Sequence, residues 1–358
     1  ALVANYIDIH PEWQYIYTDE DSLDKGGLRE NPLFKPDFDY DLLTSQPYFG
    51  AFCYIKTSVL IRNGGFLAYF GAENYDFAFR LFEVEGEKVF GHVADIVGHR
   101  SFCTNRGFDF KLGLQGLQDH LLRQNINAIA SDSAIKGCFY VNYGVDARPK
   151  VSIIIPTKDQ LSFLKACVES IVNTTSYPNY EIIIIDNQSL EIETKAYLEE
   201  IKNTSVVEVK VYEYSKPYNF SAINNFAVER ATGDYLVLLN NDTMVLQKEW
   251  LQGLLSHAQR QEVGVVGVKL VFPSKHVQHA GIVLGIGNDG VAAHPHIGFP
   301  MGSAGYMNRA VVVQNFSAVT AACLMIKKEL YQQVGGLDED KFKVFYNDVD
   351  LCLKVKEL

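Results

Sequence analysis

Short apolar runs that alternate with amphipathic stretches constrain the fold of this chain more than any other feature. Val151–Ile155 and Tyr180–Ile185 are almost wholly apolar and rich in β-branched residues, which is typical of strands buried on both faces of a parallel sheet. Tyr235–Leu239 is a further apolar run. Between the runs, apolar residues recur at helical spacing, first as Leu161, Leu164, Cys167, Val168, Ile171 and Val172. The alternation predicts a doubly wound, mostly parallel α/β sheet.

A cluster of polar residues follows each of the three apolar runs. These clusters are Pro156–Asp159, Asp186–Ser189 and Asn240–Thr243. Ligands of doubly wound sheets bind at the carboxyl ends of the strands, so we expect the clusters to converge on one pocket. Asp, Asn and Ser also form turns and helix caps after strands, and this alternative remains open for each cluster taken alone.

The residues also limit how a phosphate group could be held. A GxGxxG match at Gly285–Gly290 precedes VAAHPHIGFP, whose two prolines are incompatible with the helix that should receive a pyrophosphate, so we interpret it as a chance match. A divalent cation bound to a carboxylate can neutralise a diphosphate instead. Asp242 is placed for that role.

Charge and composition exclude several classes of protein. A formal net charge of −11 without a basic cluster argues against a nucleic-acid partner. No apolar run approaches the roughly 20 residues of a membrane-spanning helix. Six scattered cysteines without a CxxC pair indicate reduced thiols. We therefore predict a cytoplasmic protein, with association at the cytoplasmic face of the inner membrane left open.

Five stretches, VSIIIPTKD, YPNYEIIIIDNQS, NFSAINNFAVERATGDYLVLLNNDT, GGLDE and FYNDVDLCLKV, together resemble the family-two inverting glycosyltransferases of the GT-A fold. The likeness covers residues 146–358 and is greatest to tandem, rhamnosyltransferase-like enzymes of bacterial O-antigen, lipopolysaccharide or capsule synthesis. It implies a Rossmann-like nucleotide-binding half followed by an acceptor half. It also implies transfer from a UDP- or dTDP-sugar to a saccharide or lipid-linked saccharide.

The resemblance assigns roles to individual residues. Those expected to line the nucleotide-sugar pocket are Pro156, Thr157, Asp159, Asp186, Asn187, Ser189, Asn225, Asn240 and Asn241. Asp242 is expected to bind Mn²⁺ or Mg²⁺, although Asn240 replaces the first carboxylate of the family's metal motif. Asp348 is expected to be the general base, whereas the residues alone also allow it to be a helix N-cap. Asp350, roughly 200° away on the same helix, cannot face the same pocket and is assigned to the acceptor side.

Four histidines, His276, His279, His294 and His296, lie between the Asn240–Thr243 cluster and Asp348. Their spacing, in a region without cysteine, does not match a compact zinc site. The resemblance makes this stretch an acceptor-side insertion, in which we expect a histidine, assigned to His279, to contact sugar or phosphate.

The first part of the chain repeats the acceptor half. IKTSVLIRNGGF (Ile55–Phe66) aligns with IKKELYQQVGGL (Ile326–Leu337), and Glu73–Arg80 aligns with Asn347–Lys354. We therefore predict a partial GT-A-like domain at 1–104 without a nucleotide-binding half, a helix-and-strand connector at 105–145, and a GT-A domain at 146–358 truncated after its base helix. In the first copy, Asp19 and Asp21 form the metal motif, Asp76 matches Asp350, His99 matches a late family histidine, and Asn74 replaces the base.

Two functional hypotheses from different classes remain open. One is a metal-dependent inverting glycosyltransferase. The other is an inactive, glycosyltransferase-like scaffold of a polysaccharide assembly complex, which Asn240 and Asn74 favour. A nucleotidyltransferase is disfavoured because PTKDQLS is not a glycine-rich, basic loop.

Overall fold

The computed structural model describes residues 2–101, 107–145, 147–287 and 290–358, and it separates into two compact units. Unit 1 comprises residues 1–144 and 302–315, and unit 2 comprises residues 145–301 and 316–358. The predicted connector, except Val145, is thus part of unit 1, and so is segment 302–315, which lies within the predicted GT-A domain. Asn288 and Asp289 of the GxGxxG match, and Cys103, lie outside the described residues.

Unit 1 contains a small sheet with helices packed on it. Its elements are α1 (Leu2–Ile9), β1 (Tyr15–Leu23), β2 (Arg29–Leu33), α2 (Tyr40–Ser45), β3 (Cys53–Ile55), α3 (Thr57–Arg62), α4 (Glu73–Glu85), a 3₁₀ turn (Glu87–Val89), β4 (Phe90–Ser101), α5 (Phe110–Arg123), β5 (Ala128–Asp132), β6 (Phe139–Tyr143) and a second 3₁₀ turn (Tyr306–Asn308). β1 pairs with β2 and β3 antiparallel and with β4 parallel. Leu117 and Val141, from the predicted connector, are buried in the same aromatic core as Tyr17 and Phe77.

Unit 2 contains a six-stranded sheet. Its elements are β7 (Val151–Thr157), α6 (Leu161–Thr174), β8 (Tyr180–Asp186), α7 (Ile192–Thr204), β9 (Glu208–Glu213), α8 (Phe220–Val228), β10 (Tyr235–Leu239), α9 (Trp250–Ala258), β11 (Val265–Gly267), β12 (Leu270–Val271), β13 (Val277–His279), β14 (Val283–Leu284), β15 (Ala292–Ala293), β16 (Cys323–Lys327), α10 (Lys328–Gln333) and α11 (Asn347–Lys356). The strand order is β11-β16-β10-β7-β8-β9. β10, β7, β8 and β9 are parallel, whereas β16 is antiparallel to both its neighbours. The predicted mostly parallel α/β sheet is confirmed.

The strands of unit 2 form where their side chains can be buried on both faces. Ile153 and Ile155 of β7 pack in one apolar cluster, and Ile154, which points the other way, packs in a second cluster. The predicted stripe of α6 covers the first face, with Leu164 and Ile171 fully buried. The polar clusters after β7, β8 and β10 consequently lie at the edge where these buried strands end.

The internal repeat is visible in how the strands pair. Ile55 of β3 pairs with Tyr15, four residues before Asp19, and Ile326 of β16 pairs with Leu236, four residues before Asn240. A short helix follows in each unit and ends at a Gly-Gly pair with φ of +80° and +68° in unit 1 and of +78° and +69° in unit 2. Only glycine adopts such angles readily, so the shared sequence reflects a shared turn.

Glu181, the second residue of β8, carries a buried carboxylate, with an exposed fraction of 0%. The hydroxyl of Ser152 donates to it at 2.6 Å, the Thr232 amide at 2.7 Å and the Lys210 ammonium at 2.6 Å. Burial raises the pKa of Glu181, but hydrogen bonds from Lys210, Ser152 and Thr232 outweigh burial and lower it to about 2.

We expect Glu181→Gln to destabilise the protein by about 3 kcal/mol at pH 7, because Lys210 would lose a buried partner. Since the pKa falls from 4.5 to about 2 on folding, the carboxylate stabilises the fold above pH 4.5 and loses this effect as the pH falls toward 2. Urea unfolding at several pH values measures the difference. Glu208→Gln, which removes a half-exposed partner of Lys210, is the control and should cost less than about 1 kcal/mol; equal losses would contradict the argument.

Candidate active site

A cavity of about 440 Å³ lies at the carboxyl ends of β7, β8 and β10 in unit 2. Its lining residues are Pro156, Thr157, Lys158, Gln160, Asn187, Tyr218, Phe220, Ile223, Asn240, Asn241, Asp242, Thr320, Ala321, Ala322, Val344, Asn347 and Asp348. Residues from all three polar clusters are present, so they converge as the sheet topology requires.

Hydrogen bonds hold the polar clusters against one another. The amide of Asn241 donates to the Thr157 hydroxyl at 3.0 Å, which joins the end of β10 to the end of β7. The buried amide of Asn187 donates to the carbonyls of Tyr214 and Lys216 at 3.0 and 2.8 Å, which fixes the chain after β9. The wall on this side of the cavity is therefore preorganised.

Asp348 lies in the first turn of α11 and also lines the cavity. Its Oδ2 accepts a hydrogen bond from the Ala321 amide at 3.1 Å, and its Oδ1 accepts one from the Val349 amide at 2.9 Å. The N-cap position of α11 is Tyr346, so Asp348 is not the N-cap residue. Asp348 is thus a half-buried carboxylate held in place by a neighbouring loop, on the same cavity as Asp242.

Three predicted pocket residues are not among those that line the cavity, because they form its supporting loops. Oδ1 of Asp159 accepts hydrogen bonds from the amides of Leu190 and Glu191 at 2.7 and 2.9 Å, at the start of α7. The Ser189 hydroxyl accepts one from the Asp159 amide at 2.7 Å, and Asp186 accepts one from the Ser189 amide at 3.0 Å. These side chains join the loops after β7 and β8.

Asn225 also lies outside the cavity lining, contrary to our expectation. Its Oδ1 accepts hydrogen bonds from the Tyr331 hydroxyl at 2.7 Å and the Leu337 amide at 3.1 Å, and its Nδ2 donates to the Leu337 carbonyl at 2.9 Å. The side chain thus fastens α8 to the turn after Gly336.

Asp350, assigned to the acceptor side, likewise does not line the cavity. Its carboxylate lies 3.0 Å from the Lys354 ammonium, which donates to the Gly336 carbonyl at 2.6 Å. Asp76 and Arg80 make the corresponding pair in unit 1 at 2.8 Å, and Arg80 donates to the Gly65 carbonyl at 2.7 Å. The second acid of each helix therefore secures that helix to its Gly-Gly turn.

His279 is buried, with an exposed fraction of 1%, and does not face the cavity as an acceptor-side residue would. Its Nδ1 lies 2.8 Å from Nδ1 of His294, and its Nε2 accepts a hydrogen bond from the Gly281 amide at 3.3 Å. Burial, together with the adjacent His294, lowers the pKa of His279 to about 3.

Several lining residues were not identified from the sequence. Tyr218, before α8, and Phe220, its first residue, contribute aromatic side chains, and Lys158 contributes a cation beside Thr157. Thr320–Ala322 line the cavity with backbone and small side chains. Lys158 lies in a polar cluster and could have been singled out, but no sequence pattern distinguishes Tyr218 or the 320–322 loop.

A cation bound at this site would depend on its ligand for coordination. Within the described parts of the chain, no group of three or more His, Cys, Asp and Glu side chains is arranged to hold a metal ion. Among the lining residues, however, the charged side chains are Asp242, Asp348 and Lys158, so an anionic ligand would meet a net negative surface. Mg²⁺ is commonly held by one or two carboxylates together with substrate phosphates, and Asp242 with Asn240 and Asn241 fits that donor set.

The carboxylates of the metal motif predicted in unit 1 are paired with basic residues. Asp19, Glu20 and Asp21 lie within β1 and are at most 3% exposed. The carboxylate of Asp19 accepts hydrogen bonds from the Lys35 amide at 2.8 Å and His92 at 2.9 Å. Burial raises the pKa of Asp21, but hydrogen bonds from His99 and from Arg29, at 2.6 Å, leave it lowered.

The β-pairing of unit 1 explains why these carboxylates are buried and paired. β4 runs parallel to β1 along its whole length and places His99 opposite Asp21, whereas in unit 2 the strand parallel to β10 is β7. β10 ends at Leu239, so Asn240–Asp242 leave the sheet and reach the cavity. The same motif position is therefore buried in one unit and open in the other.

Comparison of the sequence and of the structure with known proteins gives the following matches. The model of the family "Glycosyl transferase family 2" matches residues 152–335. A protein of Sinorhizobium fredii named y4gI, itself uncharacterized, is 38% identical over 99% of this chain and 40% of its own length. The O-antigen biosynthesis protein RfbC of Myxococcus xanthus is also 38% identical over 99% of this chain, which spans 28% of that protein. The crystal structure of GalNAc-T7 with UDP, GalNAc and Mn²⁺ aligns at a TM-score of 0.49 and 17% identity, over 63% of this chain and 43% of that one.

No helix of the described residues combines the length and apolar character needed to cross a membrane.

Proposed function

Because this chain belongs to glycosyl transferase family 2, we propose that its unit 2 moves a sugar from a nucleotide-diphospho-sugar, with UDP or dTDP as carrier, to a hydroxyl of a saccharide or lipid-linked saccharide. One observation carries this proposal: Asp242 and Asp348 line the same cavity at the carboxyl ends of the parallel strands. One carboxylate is available for the diphosphate end of the donor and the other for the acceptor hydroxyl.

Asp348 acts as the general base. Its carboxylate takes the proton of the acceptor hydroxyl while the hydroxyl oxygen attacks the anomeric carbon on the face opposite the diphosphate. A new carbon–oxygen bond forms, the bond to the diphosphate breaks, and the diphosphate leaves with the electron pair, so the anomeric configuration inverts. The hydrogen bond from the Ala321 amide holds the carboxylate in position. A base that is already oriented toward the acceptor hydroxyl is more efficient than a mobile one.

Asp242, with the amide oxygens of Asn240 and Asn241, would hold Mn²⁺ or Mg²⁺ beside the diphosphate. Such a cation supplies Lewis-acid stabilisation of the departing diphosphate. Asn240 contributes no charge, so Asp242 provides the one carboxylate of this set. Lys158, at the end of β7, adds a positive charge on the same cavity wall.

The nucleoside lies on the preorganised wall formed by Thr157, Asn241 and Asn187. Tyr218 and Phe220 provide apolar faces on which a base can stack. Unit 1 is not assigned this activity, because the carboxylates of its metal motif are paired with basic residues and Asn74 stands where unit 2 has its base.

The place of this reaction is the synthesis of bacterial surface polysaccharide, such as O-antigen or capsule. The likeness to the O-antigen biosynthesis protein of Myxococcus xanthus supports that assignment. The second candidate, an inactive scaffold for polysaccharide assembly, is favoured by Asn240 and by the closed motif of unit 1.

Calorimetric titration tests the proposal. We expect one of UDP, dTDP and GDP to bind, with an affinity at least about tenfold higher in Mn²⁺ than in EDTA, because the Asp242 carboxylate would repel the diphosphate unless a cation lies between them. The corresponding nucleoside without phosphates is the control and should bind weakly and independently of metal. If none of the three nucleotides binds under either condition, unit 2 has no donor site and the scaffold hypothesis is preferred.

A further inference from the structure

A contact between buried His279 and half-buried His294 is not explained by the donor site or by the base. His279 and His294 lie with their Nδ1 atoms 2.8 Å apart and their ring planes at 81°. Two neutral imidazoles can make such a contact only if one Nδ1 carries a proton and the other does not. The direction of the hydrogen bond therefore fixes the tautomer of both rings.

The surroundings of His279 decide that direction. Its Nε2 faces the Gly281 amide at 3.3 Å and the Thr320 amide at 3.5 Å, and both groups can only donate. Nε2 must then be unprotonated, and the proton of the neutral ring lies on Nδ1, which donates to Nδ1 of His294. His294 in turn carries its proton on Nε2.

His294 is thereby held as a neutral ring with a fixed donor. Burial lowers the pKa of His294 below its usual value, although the charge of Asp348 opposes this shift. Protonation of His294 on Nδ1 would place this N–H group against the Nδ1–H group of His279. His279 cannot carry its proton on Nε2 instead, because Nε2 already accepts hydrogen bonds from backbone amides. His279 and Asp348 are the titratable groups that act on His294, and neither provides a second acceptor for an Nδ1 proton.

Neither histidine is among the residues that line the 440 Å³ cavity, but the strand before His294 packs against the helix that carries the base. Ala292 of β15 packs in one small apolar cluster with Val349 and Cys352 of α11, and His294 follows directly after β15. The Thr320 amide reaches His279, and the next amide, of Ala321, donates to Asp348. Within the described residues, no hydrogen bond involves Nε2 of His294, so its proton is available to a ligand.

We propose that His294 is an acceptor-binding residue whose Nε2–H donates to a hydroxyl oxygen of the acceptor saccharide beside the hydroxyl that Asp348 deprotonates. His279 is the positioning residue that fixes this tautomer. The inference rests on the proposed function of unit 2 and adds the acceptor subsite to it. A neutral donor suits an uncharged sugar hydroxyl, whereas a histidine that binds phosphate is more effective when protonated.

Nuclear magnetic resonance of the protein labelled with ¹⁵N-histidine tests the tautomer. We expect His294 to remain neutral and protonated on Nε2 from pH 8 down to about pH 5, below the usual pKa near 6.5. His279→Leu is expected to release it, so that His294 titrates at a higher pH than in the unaltered protein. A His294 that carries its proton on Nδ1, or that already titrates near pH 6.5 in the unaltered protein, overturns the inference.

Binding of simple glycosides in the presence of nucleotide and Mn²⁺ tests the acceptor contact. The probes are methyl α-L-rhamnopyranoside and methyl β-D-galactopyranoside, and we expect at least one to shift the His294 signal. His294→Phe should weaken its affinity about tenfold, and His294→Gln, which keeps a donor, should restore part of the loss. Unaltered affinity in His294→Phe, or a His294 signal that neither glycoside moves, overturns the inference. Lack of nucleotide binding would instead count against the proposed function. The tautomer of His294 is measured without any ligand, so that measurement tests the inference independently.

Discussion

Replacing Asp348 by Asn is expected to lower the rate of sugar transfer by about 10²- to 10⁴-fold and to leave nucleotide affinity unchanged. An amide oxygen can still accept the hydrogen bond from the Ala321 amide, so the loop and α11 should keep their arrangement. The amide cannot take a proton from the acceptor hydroxyl at neutral pH. The loss should therefore appear in kcat, which is measured by release of the nucleoside diphosphate at saturating donor and acceptor.

The control for Asp348→Asn is Asp340→Asn, which removes an exposed carboxylate from the turn that precedes α11. Its thermal stability and turnover should match those of the unaltered protein within experimental error. Calorimetry with whichever of UDP, dTDP and GDP binds the unaltered protein establishes that the Asp348→Asn protein is folded and binds nucleotide. Full turnover by that variant would show that the base lies elsewhere, and a parallel loss of nucleotide binding would indicate a structural role for Asp348.

Replacing Asp242 by Asn is expected to abolish the effect of Mn²⁺ on nucleotide affinity and to reduce kcat/KM by about 10³-fold. The estimate follows from the several kcal/mol of transition-state stabilisation that a bound cation provides, at 1.4 kcal/mol for each factor of ten. No other carboxylate lies in the Asn240–Asn241–Asp242 set, so the variant would retain only neutral oxygen donors. Titration of nucleotide with Mn²⁺ and with EDTA gives the two affinities directly.

Asn240→Asp is the matched variant for Asp242→Asn. It adds a carboxylate at the first position of the motif, and we expect a stronger dependence of nucleotide affinity on Mn²⁺. Asp21→Asn in unit 1 is the negative control, because Asp21 is paired with Arg29 and His99 and should not affect nucleotide binding. Retention of the Mn²⁺ effect in Asp242→Asn would exclude this carboxylate as the metal ligand.

The closed motif of unit 1 illustrates how context alters the same sequence element. Asp19–Glu20–Asp21 has the fuller set of acids, but β4 pairs along β1 and brings His92 and His99 onto those side chains. Asn240–Asn241–Asp242 has a single acid and remains at the cavity. The number of carboxylates in a motif thus does not predict whether they are accessible.

The sequence alone was sufficient for the architecture of unit 2 and for the convergence of its polar clusters at one edge of the sheet. The apolar runs became β7, β8 and β10, and the helical stripe of Leu164–Ile171 became the buried face of α6, because periodic burial is a local property of the chain. Pro156, Thr157, Asn187, Asn240–Asp242 and Asp348 line one cavity as expected, because the carboxyl ends of parallel strands meet at one edge of a sheet.

Only the tertiary structure decided which polar side chains remain available to a ligand. Asn225 is bonded to Tyr331 and Leu337, Asp350 is paired with Lys354, and His279 is buried against His294. Segment 302–315 joins unit 1, although its neighbours in the chain belong to unit 2. The sequence determined where strands end and which chemical groups stand there, since both depend on neighbouring residues. The fold determined which of those groups already have a partner, because a hydrogen bond joins residues that can be more than a hundred positions apart in the chain, as Asn225 and Leu337 are.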